Sequence, residues 1–441
     1  MNSYYQPSGK QRIMQPFSSI KVIDLTHVIA GPFCTYQLAV MGAEVIKIEL
    51  PSSPDMVRAT GIQFPSGEYG LGPMFTSQNA NKRAISIDLK TSQGKEILRK
   101  LIHGADILVE NYRSGALANL GFDYESVKSI QQDIIYCSMT GFGQQGPLGQ
   151  RTAYDNVIQA FSGLMSANGP EHSDPVKVGP PVLDYGTGIQ AAYAIAAALF
   201  QRTRTGKGQY IDIAMLDAAL MLMSSNVTSF HQNGKLNSRA GNMSSFNAGY
   251  GCYPTLDGLI MIGAYTGRQV CNLWTALGDP DHGEKLASLN PPEMESFIKQ
   301  DTERLSKLLM AQSASYWEER LNQYKVPAAR VRTLNETLAE EQLQHRTVIQ
   351  NAGTKNSHST NRIADKNRDE SQFQYPTAAF KFNDNAGPKL HSAPPVFAQH
   401  TREVLSELGY NAQQIKSLED QKVISSSESN QKQMDSETDK I

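Results

Sequence analysis

The first third of the chain constrains the fold most, because short β-branched runs alternate there with helical stretches. IKVIDL, EVIKIE, AISIDL, DILVEN and IIYCSMT follow one another from Ile20 to Thr140, with helices opening near Pro32 and after Thr91. Strands separated by helices need crossover connections, and crossovers give parallel strands covered on both faces. The pattern therefore predicts an α/β fold with a parallel, doubly wound sheet. The stretch from Gly188 to Arg202 is Ala-rich and helical by propensity, and a second apolar helix is expected to begin near Asp212. From about Gly249 to Ala264 short strands surround a Leu-Asp-Gly turn, and polar helices then run to about Tyr324, which reads as a smaller α+β domain. Residues Thr347 to Gln374 read as a long surface loop or weak hairpin, and the polar tail 425–441 as disordered.

Composition narrows the function. The 441 residues carry 41 Lys+Arg against 43 Asp+Glu, a net charge of -2, which lacks the basic footprint of a nucleic-acid binder. The most apolar stretch, Ile211 to Met223, is interrupted by Asp212 and Asp217 and falls short of the roughly 18 residues of a membrane span. Neither nucleic acid nor membrane is expected as a partner. Cys34, Cys137, Cys252 and Cys271 form no C-x-x-C pair and have no neighbouring His, so they read as reduced packing residues and no metal is expected. The first nineteen residues lack the apolar core of a secretory signal; Lys10 and Arg12 without an acid leave a mitochondrial transit peptide as the alternative to a cytoplasmic setting.

Two familiar motifs fail on context. Gly141, Gly143 and Gly146 spell G-x-G-x-x-G after a strand, but Pro147 and Gly149 extend a loop where a dinucleotide site needs a helix. Thr205-Gly206-Lys207-Gly208 lacks the Ser/Thr and the upstream Gly of a P-loop and reads as a helix C-cap. No G-x-S-x-G or H-E-x-x-H is present.

Three features remain that suit chemistry. The first strand runs into Thr26-His27-Val28-Ile29-Ala30-Gly31-Pro32, a strand-to-helix loop at the carboxyl edge of the sheet, where backbone N–H groups can receive a phosphate or carbonyl oxygen. His27 itself reads equally as a packing or a functional histidine. Cations on loops, Arg58, Lys82, Arg83 and Arg113, suit a ligand with separated phosphates if they share one sheet edge, and solvated surface charge otherwise. In Pro180-Pro181-Val182-Leu183-Asp184-Tyr185-Gly186-Thr187-Gly188, Asp184 is either a helix-capping acid or an exposed nucleophilic carboxylate beside small residues.

Taken together, VIDLTHVIAGPFCTYQLAVMGAEVIKIE, NKRAISIDLK, ILVENYRSGAL, SMTGFGQQGP, YDNVIQAFSGLM, PPVLDYGTG, RTGKGQYIDIAMLDA and HTREVLSELGY stand in the order of a class III CoA-transferase. The resemblance runs from about Ile20 to Ser225 and more loosely to Leu408. It implies a Rossmann-like large domain built from both chain ends, 20–225 and 376–424, after an N-terminal extension 1–19. A small α+β domain with linkers and the polar loop, 226–375, would be inserted, and the subunits would interlock as a homodimer. It implies Asp184 as covalent nucleophile, and contacts to the CoA thioester from His27, Val28, Ala30, Arg58, Asn81, Lys82, Arg83, Asn111 and Arg113. No bound cofactor is expected, since CoA thioester and acid acceptor are both substrates and the thioester energy is kept in the enzyme-bound intermediates. Gly-rich segments around Gly186 and Gly143 would supply oxyanion donors.

Two other readings stay open. Related α-methylacyl-CoA racemases carry a His-Asp pair where this chain has Tyr154-Asp155, which disfavours proton shuttling. A non-catalytic acyl-CoA-binding relative is the other, opposed by an intact Asp184. Ile29, Thr60 and Thr140 depart from the formyl-CoA transferase pattern, and no glycine run marks the small domain, so the acceptor is expected to be larger than formate or oxalate: a dicarboxylate with succinyl-CoA as donor, or a carnitine-like betaine. Phe397-Ala398-Gln399-His400 also departs from the family's Leu-Gly-Glu-His.

Overall fold

A computed structural model describes residues 14–60, 70–236, 239–290, 293–294, 296–352, 374–383 and 387–427. The apolar runs of the first third form β1 (Lys21–Leu25), β2 (Glu44–Glu49), β3 (Lys82–Ile87), β4 (Ile107–Glu110) and β5 (Ile135–Thr140), followed by β6 (Gln209–Ala214). They pair in parallel, and a short β12 (Ile424–Ser425) adds an antiparallel edge beside β3, giving the order β12-β3-β2-β1-β4-β5-β6. Each inner strand is buried on both faces, which is why its sequence reads as a continuous apolar run. The order reverses direction between β1 and β4, and a crevice opens at such a switch point beyond the strand carboxyl ends.

One face of this sheet packs Ile23, Ile48, Ile85 and Leu108 against Ile97, Leu98 and Leu101 of the helix Ser92–Ile102. Val404, Leu405 and Ile415, from the helices Thr401–Glu407 and Ala412–Asp420, join the same core. The far end of the chain therefore completes the sheet begun at residue 21.

Contacts divide the chain into two compact units: 1–162, 179–224 and 346–441 form one, and 163–178 with 225–345 form the other. The stretch 346–375, which the resemblance assigns to the small domain, falls in the first unit. It contributes β10 (Ile349–Asn351), paired antiparallel with β11 (Gln374–Pro376); this is the weak hairpin option, with 353–373 outside the described residues. The second unit holds β7 (Tyr250–Pro254), β8 (Leu259–Gly263) and β9 (Ala328–Arg330) as an antiparallel sheet. Trp274, Leu305, Trp317 and Leu321 from its helices fill the core behind it. The expected α+β character of this region is what forms.

Two expectations shift. Asp212 lies in β6 and the apolar helix starts later, at Met215–Leu222, because Tyr210-Ile211-Asp212-Ile213 alternates in exposure with period two and so pairs as an edge strand. The tail expected from 425 gives its first residue to β12, and from 428 it lies outside the described residues. All four cysteines are free, with Cys34 and Cys137 buried. Among the described residues no helix is long and apolar enough to cross a membrane, and no cluster of His, Cys, Asp or Glu has the makings of a metal site.

Candidate active site

At the switch point, the loops leaving β1 and β4 are laced together. Asn111 Oδ1 accepts the His27 N–H at 2.9 Å and Asn111 Nδ2 donates to the His27 carbonyl at 2.8 Å, a two-way clasp made by one side chain. The His27 ring stands edge-on to Tyr112 with centroids 5.5 Å apart, and burial holds its pKa below the ordinary value. Val28 adopts φ of 70°, a conformation that costs a β-branched residue on the order of 1–3 kcal/mol. It is held there from two sides: Asp55 Oδ1 accepts its N–H at 3.1 Å, and Gln78 Nε2 donates to its carbonyl at 2.7 Å. Ala30 then opens the helix Ala30–Val40, whose Ile29 N-cap has no capping side chain. His27, Val28, Ala30, Asn111 and Arg113 thus all follow the carboxyl ends of β1 and β4.

Arg58 follows the carboxyl end of β2, but Lys82 and Arg83 do not share that edge. Lys82 and Arg83 start β3, level with Val45 and Ile46, and so lie at the amino end of the strands, opposite the crevice. Lys82 is buried and its ammonium is spent on Asp24 at 3.0 Å, the Pro32 carbonyl at 2.9 Å and Asn79 at 2.8 Å. Burial draws its pKa down to about 8, against the pull of Asp24. Burial would raise Asp24, but Lys82 and Lys47 hold it below the ordinary carboxylate value. Arg83 pairs with Glu44, Glu403 and Glu407. Arg58 grips both Glu49 oxygens, at 2.8 and 2.6 Å, and donates to the Pro395 carbonyl. Asn81, at φ of 65°, accepts from His391 and Ser392 and donates to Lys389. The expectation of loop cations sharing one sheet edge is thus corrected for Lys82 and Arg83 alone, and Arg58, Lys82 and Arg83 all hold internal partners, as a buried charge is stable only when paired.

Asp184 sits in the first turn of a long helix, Val182–Thr205, rather than on an exposed turn. Only 9% of it is exposed. Asp155 Oδ2 accepts the backbone N–H groups of Leu183 at 2.6 Å and of Asp184 at 3.1 Å, so the capping acid of this helix is Asp155 and not Asp184. Burial, and then the Asp155 charge beside it, pushes the Asp184 carboxyl up to about 7. Gly186 and Gly188 lie inside the helix and serve packing: a Cβ on Gly188 would stand 2.7 Å from the Ala30 carbonyl, and one on Gly186 would stand 3.1 Å from Leu222. The close approach at Gly188 seats the Asp184 helix directly on the helix that follows the His27 loop. Tyr185 reinforces this, with its ring 4.8 Å from Phe33. The expected oxyanion donors are taken, since Gly186 is within helical hydrogen bonding and the Gly143 N–H donates to Thr140 Oγ1 at 2.9 Å.

A cleft of about 750 Å³ opens beside this arrangement, within the range of small-molecule sites. Arg113, Arg151, Phe142 and Phe161 line it, the two rings edge-on at 5.0 Å. Phe142 belongs to the glycine-rich loop 141–149, so that loop lines a ligand cleft without being a dinucleotide fingerprint. The short helix Asp155–Ser162 connects the two features: Asp155 at its start holds the Asp184 backbone, while Val157, Ala160 and Phe161 line the cleft. Eight residues span about 12 Å. Sequence reading passed over Arg151 and Asp155 as site residues; the signal was present in the YDN run for Asp155, but nothing local marks Arg151.

A doubly wound sheet, a cleft lined by two arginines and two aromatic rings beyond β4 and β5, and a buried carboxylate suit an enzyme that acts on an anionic substrate. The profile of CoA-transferase family III matches residues 17–401, and the chain belongs to that family. It is 32% identical over 409 residues to the succinyl-CoA:glutarate CoA-transferase of Homo sapiens, covering 91% of this chain and 88% of that protein. It is 35% identical over 343 residues to the succinate–glutarate CoA-transferase of Agrobacterium fabrum, covering 75% and 84%. The crystal structure of a CaiB/BaiF family protein from Brucella suis superposes with a TM-score of 0.76 at 30% identity, over 90% of this chain and all of that one. The chain is a class III CoA-transferase.

Proposed function

We propose that the enzyme moves CoA between dicarboxylic acids, with succinyl-CoA as a donor, through a covalent intermediate on Asp184. The observation that carries this reading is the carboxylate itself: buried, raised toward neutrality, and fixed at a helix start packed against the switch-point loop. A desolvated carboxylate is a stronger nucleophile than a hydrated one. In the first step an Asp184 oxygen bonds to the thioester carbonyl carbon and the C–S bond breaks, giving a mixed anhydride and CoA thiolate. The thiolate then attacks the aspartyl carbonyl, releasing the donor acid and leaving an aspartyl thioester. The acceptor carboxylate repeats the exchange in reverse order and departs as the new thioester, which restores Asp184. No water, proton source or phosphate is consumed. Arg113 and Arg151, which line the cleft, would neutralise the phosphates of the thioester's nucleotide end, and Phe142 with Phe161 would offer a face for its base.

The relatives named for succinate and glutarate support a dicarboxylate over a carnitine-like betaine. A homodimer fits the exposed apolar residues of two helices, Ile189, Tyr193 and Phe200 on Val182–Thr205 and Leu220, Met221 and Leu222 on Met215–Leu222. Purified protein is to be incubated with succinyl-CoA and a pool of acids, and new acyl-CoA species measured by mass spectrometry beside Asp184→Asn. Glutaryl-CoA or another dicarboxylyl-CoA from wild type alone supports the reading. No product from the pool, or epimerisation of a 2-methylacyl-CoA, overturns it.

A further inference from the structure

Two loops wall the cleft, 111–114 after β4 and 141–149 after β5, and one residue ties them together. The Gln144 N–H donates to Asp212 at 3.1 Å, and its carbonyl accepts from Ser114 Oγ at 3.0 Å. Its side-chain amide donates to Ser138 Oγ. Ser138 Oγ donates onward to Glu110, whose other oxygen accepts the Tyr112 N–H at 2.8 Å. The chain of bonds thus runs from the carboxyl end of β4, across β5, to β6, and it passes through Gln144. A loop with Gly143 and Gly146 both at φ of 90° has much freedom to lose, on the order of 1–2 kcal/mol for each ordered residue, and needs such an anchor. Ser114 directly follows Arg113, and Gln144 lies two residues beyond Phe142. The backbone beside Arg113 and that beside Phe142 are therefore held together by two bonds of Gln144, its carbonyl to Ser114 Oγ and its side-chain amide to Ser138 Oγ.

We propose that Gln144 is a positioning residue for the thioester substrate, holding Arg113 and Phe142 at the spacing that the nucleotide end of CoA requires. The inference rests on the reading of this cleft as the site for that end. Its test uses the full-length protein and two readouts: steady-state kinetics with succinyl-CoA, and calorimetric binding of adenosine 3′,5′-bisphosphate. Gln144→Ala is expected to raise the KM for succinyl-CoA and the bisphosphate Kd about tenfold, with kcat and the KM for the acceptor acid within about twofold. Ser114→Ala, which deletes one hydroxyl and guards against a misfolded Gln144 variant, is expected to raise both constants about fivefold, and Ser114→Thr to restore them. If KM and Kd stay at wild-type values in Gln144→Ala and Ser114→Ala, or if kcat falls as far as KM rises, the positioning role is wrong. Arg113→Ala separates the two ideas: a bisphosphate Kd that does not change in that variant removes the cleft reading and this proposal with it. A weakened Kd there, beside wild-type behaviour in Gln144→Ala, removes the proposal alone.

Discussion

At the scale of single residues, Asp184 is governed by two opposing demands. As the proposed nucleophile it would have to be ionised to attack, yet burial and the Asp155 charge favour its protonated form up to about pH 7. With Asp184 as nucleophile, kcat/KM falls about tenfold per pH unit well below pH 7. Asp155→Asn removes the like charge, so that acidic limb moves to lower pH; a pH-rate profile of the two proteins checks the sign. The same shift has a stability consequence. The folded state holds the Asp184 proton more tightly than the unfolded chain does, so this group's contribution declines as pH rises from its ordinary value of 3.8 toward about 7. Asp184→Asn is expected to be more stable than wild type at pH 8 but not at pH 4, measured by urea midpoints, while losing at least 10³-fold in transfer. Lys82 shows the converse. Its cofactor role came from resemblance, whereas its contacts are internal, so Lys82→Met is expected to cost about 3 kcal/mol in urea unfolding through the stranded Asp24. Sequence showed which residues were charged but could not show which way a lysine at a strand start turns, since that depends on a partner 58 positions away.

At the scale of elements, the strands were legible because burial on both faces leaves an unbroken apolar run, and β1 to β5 fall where the pattern put them. The start of the Asp184 helix was not legible. Pro180 and Pro181 with two nearby glycines read as a turn, but the helix begins at Val182 because Asp155, 28 positions earlier, accepts its first N–H groups. The glycines belong to helix packing and not to backbone turning. Gly188→Val is expected to force the helix Val182–Thr205 off the helix Ala30–Val40, since its Cβ would lie 2.7 Å from a backbone oxygen that cannot yield. Overpacking of this kind costs about 1–3 kcal/mol, and here it also moves Asp184 from the His27 loop. The measurement is paired: a lowered urea midpoint together with kcat reduced at least 10²-fold in the folded fraction.

At the scale of the whole molecule, the sheet order and the return of the chain end were implied only through resemblance, since no local pattern joins β12 to β3 across more than three hundred residues. The proposed homodimer rests on the surface of one helix. A helix of 24 residues with Tyr193 71% exposed and Phe200 60% exposed has apolar groups on more than one face, as expected of an element covered twice. Light scattering is expected to give twice the mass of one chain, and Tyr193→Glu with Phe200→Glu to shift it toward a single chain; a wild-type monomer would remove the homodimer.

The closing of the sheet by β12 also sets a timetable. β3 is made early and its outer edge stays unpaired until residues 424–425 arrive, together with the segment that Asn81 and Arg58 grasp. During synthesis at about 5–20 residues per second, that edge is open for tens of seconds. The nascent chain thus carries an aggregation hazard in the part of the sheet that is built first, and β12 acts as the stopper that ends it.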